Sequence, residues 1–321
     1  MKTVIITGAT GQDGSYMAEY LRDKGYRVIG AVRDVKKSEK LLPKILKNKI
    51  ELVEWNMQDQ QLMIKVLHCY RPDEIYNFAA YSSGAGMFDD PTVIGDVNGL
   101  AVTRILEAIR VVDPNIRFCQ ASSSELFGEA AEAPQSETTV FSPRSPYGAA
   151  KLYAHSMINI YRKSYGLFAC SAILYNHESP RRGLEFVTRK VTHEVAKIKL
   201  GMSATLSLGN LEACRDWGFA GDYVLAMWKM LQMPKADDYV IASGKAHSVR
   251  ELCEMAFEHV DLNYKDYVRE DVNVFRPTES FQLVGDASKA EKYLNWVPKI
   301  GFREIIGIMI DADLLLLQEK K

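Results

Sequence analysis

A tyrosine and a lysine stand four positions apart, as Tyr147 and Lys151 in the stretch "SPYGAAK". On a helix, residues i and i+4 lie on the same face, so the phenol and the ammonium can approach one point. A nearby ammonium lowers the pKa of a tyrosine and makes the phenolate a usable base for a hydroxyl group. The same spacing is common by chance, and an exposed Tyr/Lys pair on a helix surface is the alternative interpretation.

Three serines and a glutamate follow the short apolar run 116–118 in the stretch "QASSSELFG". Serine hydroxyls bond nearby backbone groups, so these serines are also compatible with an ordinary turn. If the run is a strand of a parallel sheet, its carboxyl end lies at the edge where ligands of such folds bind. We expect Tyr147 and Lys151 at that same edge. The predicted catalytic residues are Ser123, Glu125, Tyr147 and Lys151.

Three glycines, Gly8, Gly11 and Gly14, follow the first strand-like run in "VIITGATGQDG" and open a helix-like segment. Glycines at this place permit a tight turn and bring backbone N–H groups close to a diphosphate, which then lies at the positive end of the helix. The alternative is a flexible turn. The strand–turn–helix context favours a dinucleotide site that includes Gln12 and Asp13. The GxxGxxG spacing is typical of the extended short-chain dehydrogenase form of the fold.

The ends of the following strands supply further residues for a dinucleotide. After the second strand, Arg33 suits a ribose 2′-phosphate, whereas Asp34 suits a 2′-hydroxyl and repels that phosphate, so the two residues favour different cofactors. Asn56 can bond an adenine edge or simply form a surface turn. Further cofactor-binding residues are predicted at Met57, Ala79 and Ala80, and Tyr147 and Lys151 are expected to touch the cofactor as well.

The elements that position these residues alternate between short β-branched runs and helix-period segments. This alternation predicts an α/β fold with a Rossmann-type, doubly wound parallel sheet, whose strands read as continuous apolar runs because both faces are buried. The predicted strands are 4–7, 27–32, 50–53, 74–78, 116–121 and 168–174, and helices are predicted to begin at Gln12, Gln58, Asp90 and Ser145.

The alternation of strand-like runs with helix-period segments ends at about residue 176. Beyond it, loops that contain arginine and proline separate helices. We therefore predict a dinucleotide-binding domain over residues 1–175 and a smaller, mostly C-terminal substrate-binding lobe over residues 176–321, from which some segments return to the first domain. The stretch "IIGIMIDADLLLL" is interrupted by Asp311 and Asp313, so it predicts an amphipathic helix rather than a membrane span.

Composition narrows the class of protein and its partners. The 321 residues are 47% hydrophobic and 25% charged, as in an ordinary globular protein. Forty basic and forty-one acidic residues give a net charge of −1, which argues against nucleic acid as a partner. The five cysteines show no CxxC pair and no Cys/His cluster at metal-ligand spacing, so we expect reduced thiols, no metal and a cytoplasmic location.

The chain resembles the GDP-mannose 4,6-dehydratase family over nearly its whole length. The segments that carry the resemblance are, in order, "TGATGQDGSYMAEYL", "ASSSELFG", "SPYGAAKLY", "LYNHESPRRGLEFVTRKV", "LGNLEACRDWGFAGDYV" and "FRPTE". The resemblance implies a redox-neutral reaction on a GDP-hexose: oxidation at C4, loss of water across C5–C6, and return of the hydride to C6. It also implies NADP as the cofactor.

The resemblance gives each predicted residue a role. Tyr147 takes the proton of the C4 hydroxyl, Lys151 tunes Tyr147 and binds the cofactor ribose, and Glu125 removes the C5 proton that the C4 ketone makes acidic. Ser123 stands where the family has threonine and can bond O4. Two further residues implied near the cofactor are His177, for which a structural role is the alternative, and Arg182. The implied substrate-binding residues are Ser124, Asn176, Lys190, Arg215, Arg276 and Glu279, of which the charged members can instead be surface ion-pair residues.

Three departures from the family pattern leave particular points open. The family's RRSS loop, used for NADP and for contacts between subunits, is here the shorter "RDVKK", so both NADP and NAD, and both a dimer and a tetramer, remain open. The adenine-binding aspartate is here Asn56. After the fourth strand the family's AAQS becomes "AAYSSGAGMFDDP", with Tyr81, Gly84 and Gly86, which suggests a changed GDP-sugar such as a GDP-manno-heptose or a mobile loop.

Three functions follow from these patterns. The first is a sugar-nucleotide 4,6-dehydratase acting on GDP-mannose or a close analogue. The second is a C4 dehydrogenase, reductase or epimerase of a related GDP-sugar, which would need Tyr147 and Lys151 but no carboxylate at Glu125. The third is a non-catalytic NAD(P) sensor, which would need none of the three residues. Their joint presence favours the first.

Overall fold

A seven-stranded parallel sheet forms the centre of the computed structural model, which describes residues 1–81, 88, 90–271 and 282–319. The strands along the chain are β1 Thr3–Thr7, β2 Arg27–Val32, β3 Glu51–Glu54, β4 Glu74–Asn77, β5 Arg117–Ala121, β6 Ala169–Leu174, β7 Asn176–Glu178, β8 Leu206–Leu208, β9 Cys214–Phe219, β10 Tyr239–Ile241, β11 Ala246–Ser248 and β12 Val268–Glu270. The order in the central sheet is β10-β6-β5-β4-β1-β2-β3, and all neighbouring strands run parallel. The predicted Rossmann-type sheet is confirmed.

The α-helices connect these strands and cover both faces of the sheet. They are α1 Gln12–Asp23, α2 Val35–Leu41, α3 Gln60–Tyr70, α4 Pro91–Gly95, α5 Ala101–Val112, α6 Pro146–Tyr165, α7 Val187–Lys199, α8 Ala220–Gln232, α9 Val249–Glu258, α10 Tyr264–Tyr267, α11 Ser288–Leu294 and α12 Phe302–Gln318. A π-helical turn, Asp96–Leu100, joins α4 to α5, and a short 3₁₀ turn, Ser124–Leu126, follows β5.

Local sequence explains where helix α6, which carries Tyr147 and Lys151, begins and ends. Ser145 accepts a hydrogen bond from the backbone N–H of Gly148 at 3.0 Å, and Pro146 occupies the first turn, where its missing N–H costs nothing. Gly166 ends the helix in a left-handed conformation with φ of +70°. The start of this helix is therefore fixed by residues adjacent to the tyrosine.

Two apolar layers enclose the central sheet. One face packs against α1, α8 and α11 through residues such as Met17, Met227 and Leu294, and the other packs against α3, α5 and α6 through residues such as Leu67 and Ile105. This burial on both faces is the reason that the strands are continuously apolar. The order of the strands reverses between β1 and β4, which places the ligand crevice of such a fold between the ends of those two strands.

The second half of the chain contributes to both the central sheet and a separate lobe. β10 pairs with β6, and α8 packs against α1, so these two elements belong to the central layers. The remaining short strands form a three-stranded sheet, in the order β11-β9-β7, and a two-stranded sheet of β12 and β8. The boundary at residue 175 stays a prediction.

The last helix, α12, differs from its expected pattern at one residue. Asp311 is exposed, as a polar face requires, but Asp313 is completely buried. Asp313 forms an ion pair with Arg189 of α7 and lies 3.2 Å from His193 Nδ1, so it faces α7 rather than water. In the part of the chain that the structure describes, no helix is long and apolar enough to cross a bilayer.

Candidate active site

The glycine turn after β1 brings the backbone into close contact with itself and with β4. Gly8 adopts φ of +64°, and its carbonyl oxygen accepts a hydrogen bond from the N–H of Gly11 at 2.9 Å. A Cβ atom on Gly14 would overlap the carbonyl of Gly8, and one on Gly8 would lie 3.0 Å from the backbone nitrogen of Ala79. Glycine is required at both positions because no side chain fits there.

The N-terminus of α1 has the features of a diphosphate site. Gly11 is the N-cap residue and supplies no side-chain cap, so the first N–H groups of the helix stay available to a ligand. These N–H groups and the helix dipole favour an anion. The glycine turn therefore fits a dinucleotide, held by Gly8, Gly11 and the N–H groups of the first helical turn.

The end of β4 is attached to this turn by a hydroxyl group. Thr7 Oγ1 accepts hydrogen bonds from the N–H groups of Phe78 and Ala79, at 3.1 and 3.0 Å, and donates to the Asn77 side chain. The backbone at Ala79 and Ala80 consequently lies at the crevice between β1 and β4. This location is compatible with their predicted contact to the cofactor.

The residues predicted to bind the adenosine end are exposed or have local structural roles. Asp34 caps α2 by accepting from the N–H of Lys37 at 2.9 Å, and Arg33 beside it is exposed. Asn56 accepts from the N–H of Gln58 at 3.0 Å, which is the surface turn considered as its alternative. The Met57 side chain is buried in the core beneath the sheet, so only its backbone can reach a ligand.

The catalytic residues predicted from two separate segments meet beyond the end of β5. The Ser123 hydroxyl accepts from the N–H of Glu125 at 3.2 Å, and its proximity lowers the pKa of the Tyr147 phenol against the effect of burial. A Cβ atom on Gly148 would lie only 2.6 Å from the carbonyl oxygen of Glu125, so α6 begins directly against the turn that carries this glutamate. Tyr147 is 8% exposed and Glu125 is half-buried.

Lys151 lies one helical turn beyond Tyr147 and is 2% exposed. Its ammonium donates to the carbonyl oxygen of Ala121 at 2.7 Å and lies 5.6 Å from the centre of the Tyr147 ring. Burial lowers the pKa of Lys151 to about 8, against the opposing charge of Asp13, and burial raises the pKa of Tyr147 to about 12. Burial thus disfavours the charge on each side chain, so each charge is sensitive to what lies beside it.

The start of α1 is linked to the smaller lobe through β7. Asp13 Oδ2 lies 2.9 Å from His177 Nε2, and Gln12 Nε2 donates to the carbonyl oxygen of His177 at 3.0 Å. Ser179 Oγ donates in turn to Gln12 Oε1 at 2.7 Å. The structure therefore brings three of the predicted cofactor residues, Gln12, Asp13 and His177, into one hydrogen-bonded group.

Arg182 adds a cation to this group. Its charge acts on Asp13 and Tyr147, lowering the pKa of each against the effect of burial, and its guanidinium stacks on the Phe186 ring at 3.5 Å. Its Nε lies 3.3 Å from Glu178 Oε2 and, among the residues that the structure describes, has no hydrogen-bond partner. A half-buried guanidinium whose charge acts on Asp13, at the start of α1, can bind a phosphate.

The predicted substrate-binding residues are spread over several elements. Ser124 is buried in the turn after β5, and Asn176 opens β7. Lys190 on α7 donates to the carbonyl oxygen of Ser207 at 2.6 Å, and Arg215 on β9 donates to that of Cys214 at 2.7 Å. Arg276 and Glu279 lie outside the described residues, as do Gly84 and Gly86. Their substrate-binding roles stay predictions.

One residue that the sequence did not single out fixes the chain beside the site. Asn98, 1% exposed in the π-helical turn, accepts from the N–H of Tyr81 at 2.8 Å and donates to the Tyr81 carbonyl at 2.9 Å. The adjacent Gly99 packs against the backbone of Ala150, next to Lys151. No local signal marks Asn98, because an asparagine inside a helix looks like any other polar helical residue.

A second missed residue, Arg181, joins the loop after β7 to α1, the helix that His177 also contacts. Its guanidinium donates to Ser15 Oγ at 3.1 Å and to Glu19 Oε1 at 2.6 Å, and it stacks on the Tyr16 ring at 4.2 Å. These partners lie more than 150 positions earlier in the sequence, so only the adjacent arginines in "SPRRG" could have drawn attention to it.

A cavity of about 350 Å³ opens away from this group, between the amino ends of β1, β4 and β5. Three of its polar side chains have internal partners: Lys2 pairs with Glu74, Asp73 accepts from the N–H of Thr3, and Arg117 donates to the carbonyl oxygens of Leu231 and Met233. We therefore assign it a structural role. Within the described ranges, no cluster of three or more His, Cys, Asp or Glu side chains could hold a metal ion.

Comparison with known proteins identifies close relatives of the sequence. A family model described as GDP-mannose 4,6 dehydratase matches residues 5–309. GDP-mannose 4,6 dehydratase 1 of Arabidopsis thaliana is 46% identical over 332 aligned residues, which cover 100% of this chain and 92% of the relative. GDP-mannose 4,6 dehydratase of Homo sapiens is 44% identical over 341 residues, which cover 98% of this chain and 92% of the relative.

Solved structures share the fold at lower sequence identity. RMD from Pseudomonas aeruginosa, complexed with NADPH, gives a TM-score of 0.84 at 21% identity and covers 98% of this chain and 100% of its own. dTDP-glucose 4,6-dehydratase from Bacillus anthracis, in complex with NAD, also gives 0.84 at 21% identity and covers 97% and 96% of the two chains.

Proposed function

The chain belongs to the GDP-mannose 4,6-dehydratase family, and we propose that Ser123, Glu125, Tyr147 and Lys151 carry out its reaction. The protein is an NAD(P)-dependent sugar-nucleotide 4,6-dehydratase, a lyase that converts a GDP-hexose to its 4-keto-6-deoxy derivative. The observation that supports the residue roles is the contact between the Ser123–Glu125 turn and the start of α6, which brings a carboxylate and a phenol together.

Tyr147 acts as the base for the C4 hydroxyl. Because burial raises the pKa of this phenol to about 12, Tyr147 needs a neighbouring positive charge to lose its own proton and act, as phenolate, as the acceptor of the C4 hydroxyl proton. The ammonium of Lys151, one helical turn away, supplies that charge. Ser123, whose hydroxyl acts on the Tyr147 phenol and lowers its pKa, is proposed to bond O4 of the sugar.

Glu125 carries the step that separates dehydration from simple oxidation. A ketone at C4 makes the C5 proton acidic, and a carboxylate beside C5 can remove it. The proton that Glu125 takes is the one that the departing C6 hydroxide needs in order to leave as water. Gly8, Gly11 and the first N–H groups of α1 would hold the diphosphate of a dinucleotide, which would supply the redox chemistry by accepting the hydride from C4 and returning it to C6.

The substrate is proposed to be GDP-mannose. Asn176, Lys190 and Arg215 are proposed to contact its nucleotide, together with Arg276 and Glu279, which lie outside the described residues. Tyr81, held by Asn98 and 46% exposed, lies four residues beyond the end of β4, the strand that pairs with β5, and is proposed to contact the sugar. A GDP-sugar larger at C6, such as a GDP-manno-heptose, is the alternative substrate to test.

One assay tests this function. We incubate the purified protein with GDP-mannose and a catalytic amount of NADP or NAD and follow the product by mass spectrometry. Loss of one water without accumulation of reduced cofactor is the expected result, whereas stoichiometric reduced cofactor with no loss of water indicates a C4 dehydrogenase instead. Running GDP-manno-heptose in parallel decides between the two sugars.

Glu125→Gln is the matched variant for the elimination step. An amide has the shape of the carboxylate but cannot take a proton, so dehydration should fall on the order of 10³-fold while the affinity for the dinucleotide is kept. The measurement is product formation alongside a binding titration. Unchanged turnover would remove Glu125 from the mechanism.

We propose further that the protein is a homo-oligomer, at least a dimer, built on an exposed apolar face of α5 and α6. Leu100 and Val111 lie on the α5 side of this face. Tyr153 and Ile160, seven positions apart, lie on one stripe of α6. All four side chains are more than 40% exposed. The helices contact each other there through Thr103 and Tyr153. A second copy can cover this face symmetrically, because the same two helices then pack against themselves.

Light scattering coupled to gel filtration tests the assembly. The wild-type protein should elute as a dimer or a tetramer, and Ile160→Glu should shift it toward the monomer. If the wild-type protein elutes as a monomer at micromolar concentration, the proposed assembly is wrong. We also place the protein in the cytoplasm, because all five cysteines are free thiols.

A further inference from the structure

His177 has an acceptor on each side of its ring. Nδ1 lies 2.7 Å from the carbonyl oxygen of Tyr175, and Nε2 lies 2.9 Å from Asp13 Oδ2. A carbonyl and a carboxylate only accept hydrogen bonds, so both ring nitrogens must carry protons to satisfy this geometry. The geometry is therefore that of an imidazolium, largely buried and paired with the Asp13 carboxylate.

The carboxylate that pairs with His177 belongs to Asp13 and lies next to the proposed diphosphate site. Asp13 is in the first turn of α1, directly after the glycine turn, where the N–H groups face the site for a diphosphate. A free carboxylate there favours the helix itself but repels a second anion that approaches the same positive end. A cation that neutralises Asp13 removes that repulsion.

We propose that His177 is a positioning residue for the cofactor: its imidazolium neutralises Asp13 and holds that carboxylate against β7, which leaves the N-terminus of α1 positive for the cofactor diphosphate. This inference rests on the dinucleotide site of the proposed function. It deepens that site by assigning a specific role to a residue that the resemblance implied only as lying near the cofactor.

The surroundings of the pair support this role. Burial alone would lower the pKa of His177, but the charge of Asp13 and its hydrogen bond outweigh burial and raise that pKa, whereas Arg182 lowers it. The Tyr223 ring on α8 lies 4.9 Å from the His177 ring, and burial raises the pKa of its phenol, so it contributes no charge at neutral pH. Among the charged groups facing the imidazolium, Asp13 is the one that stabilises it.

Gln12 fixes the pair from the side of the glycine turn. Its amide donates both to Asp13 Oδ1, at 3.1 Å, and to the carbonyl oxygen of His177, at 3.0 Å. The carboxylate thus has a donor on each oxygen and cannot rotate toward the diphosphate without breaking one of these bonds. A neutral side chain at position 177 would keep part of the contact but not the charge.

The charge argument is tested by a double-variant cycle on cofactor affinity, measured by titration of the protein with NADP and with NAD. His177→Gln keeps a donor and removes the charge, so the affinity should fall about tenfold, a coupling of about 1.4 kcal/mol. Asp13→Asn alone should weaken binding less than His177→Gln does, because a neutral His177 can accept from the new amide and no uncompensated carboxylate is left. The double variant should recover most of the lost affinity, since no uncompensated carboxylate remains.

His193→Gln is the control. It alters another contact between a histidine and an aspartate, His193 with Asp313, which lies between α7 and α12. This variant should leave the cofactor affinity unchanged. Thermal melting curves confirm that all variants fold.

Two results would overturn the inference: wild-type affinity in His177→Gln, or a double variant as weak as His177→Gln, which would indicate a purely structural role. A nitrogen NMR spectrum of the ligand-free protein gives an independent reading. Both ring nitrogens of His177 should be protonated at neutral pH in the wild type, and one of them should lose its proton in Asp13→Asn. A wild-type protein that binds neither dinucleotide contradicts the proposed function and this inference together, whereas failure of the cycle alone contradicts only the inference.

Discussion

The two ends of the predicted cofactor site differ in how strongly the protein controls charge. At the proposed catalytic end, Tyr147 and Lys151 are almost fully buried. Burial raises the pKa of Tyr147 and lowers the pKa of Lys151, so it disfavours the charged form of each. At the ribose end, Arg33 and Asp34 are exposed, and Asp34 serves as the cap of α2. Water screens charges at the exposed end, so the same kind of substitution should have a large effect at one end and a small effect at the other.

The largest effect is expected for Tyr147→Phe. Removing the phenol takes away the base for the C4 hydroxyl while leaving the ring in its buried position, so turnover should fall on the order of 10³-fold to 10⁴-fold. Steady-state product formation measures the loss, and a titration with the dinucleotide should show nearly wild-type affinity. If turnover falls less than tenfold, the buried end is not the catalytic end.

The second prediction concerns the stability cost of burying Lys151. Its pKa lies at about 8 in the folded protein against an ordinary 10.5, so between these values the unfolded chain binds more protons and stability rises with pH. Below about pH 8 the full cost applies, and at 1.36 kcal/mol per pKa unit it amounts to about 3 kcal/mol. Lys151→Met should therefore be more stable than the wild type at neutral pH, although it is much less active.

Denaturant unfolding of the ligand-free proteins measures this difference in free energy. The lost hydrogen bond to Ala121 offsets part of the gain, so about 2 kcal/mol is expected at neutral pH. The advantage of the variant should shrink as the pH rises from about 8 toward 10.5. A variant less stable than the wild type at neutral pH contradicts the assignment of a buried, costly ammonium.

The smallest effect is expected at the ribose end. Asp34→Arg removes a group that repels a 2′-phosphate and adds one that attracts it, so the ratio of NADP affinity to NAD affinity should rise about tenfold. The same variant loses the cap of α2, which should cost about 1 kcal/mol of stability. Asp34→Asn separates the two effects, because asparagine keeps the cap without the charge. Equal affinity ratios in all three proteins would show that this end does not select the cofactor.

Much of the fold was predictable because it depends on local patterns. Alternating apolar runs and helix-period segments predicted all six strands of the first half, and Ser145 and Pro146 marked the start of α6. The glycine turn at positions 8 and 14 was also predicted from the sequence. The structure gives its physical reason, because a side chain at either position would collide with backbone atoms. The short strands of the smaller lobe and the return of β10 to the central sheet carry no such local signal.

The site was predictable only where its residues lie close together in sequence or follow a strand end. Asp313 shows the limit, because its spacing indicated an exposed helix face and the structure buries it against Arg189. Asn98 and Arg181 were missed for the same reason: their partners are distant in sequence, and the residues themselves look ordinary.

The sequence by itself determined the order of strands and helices, the glycine turn, the pairing of Tyr147 with Lys151 and membership of the family, since each depends on residue types at short spacing. The tertiary structure alone decided which charges are buried and which residues they face. It placed Glu125 against Gly148 at the start of α6 and Asp13 against His177, contacts between residues that are 23 and 164 positions apart along the chain. Burial and proximity arise from packing, and packing sets the pKa values and the free donors on which the chemistry depends.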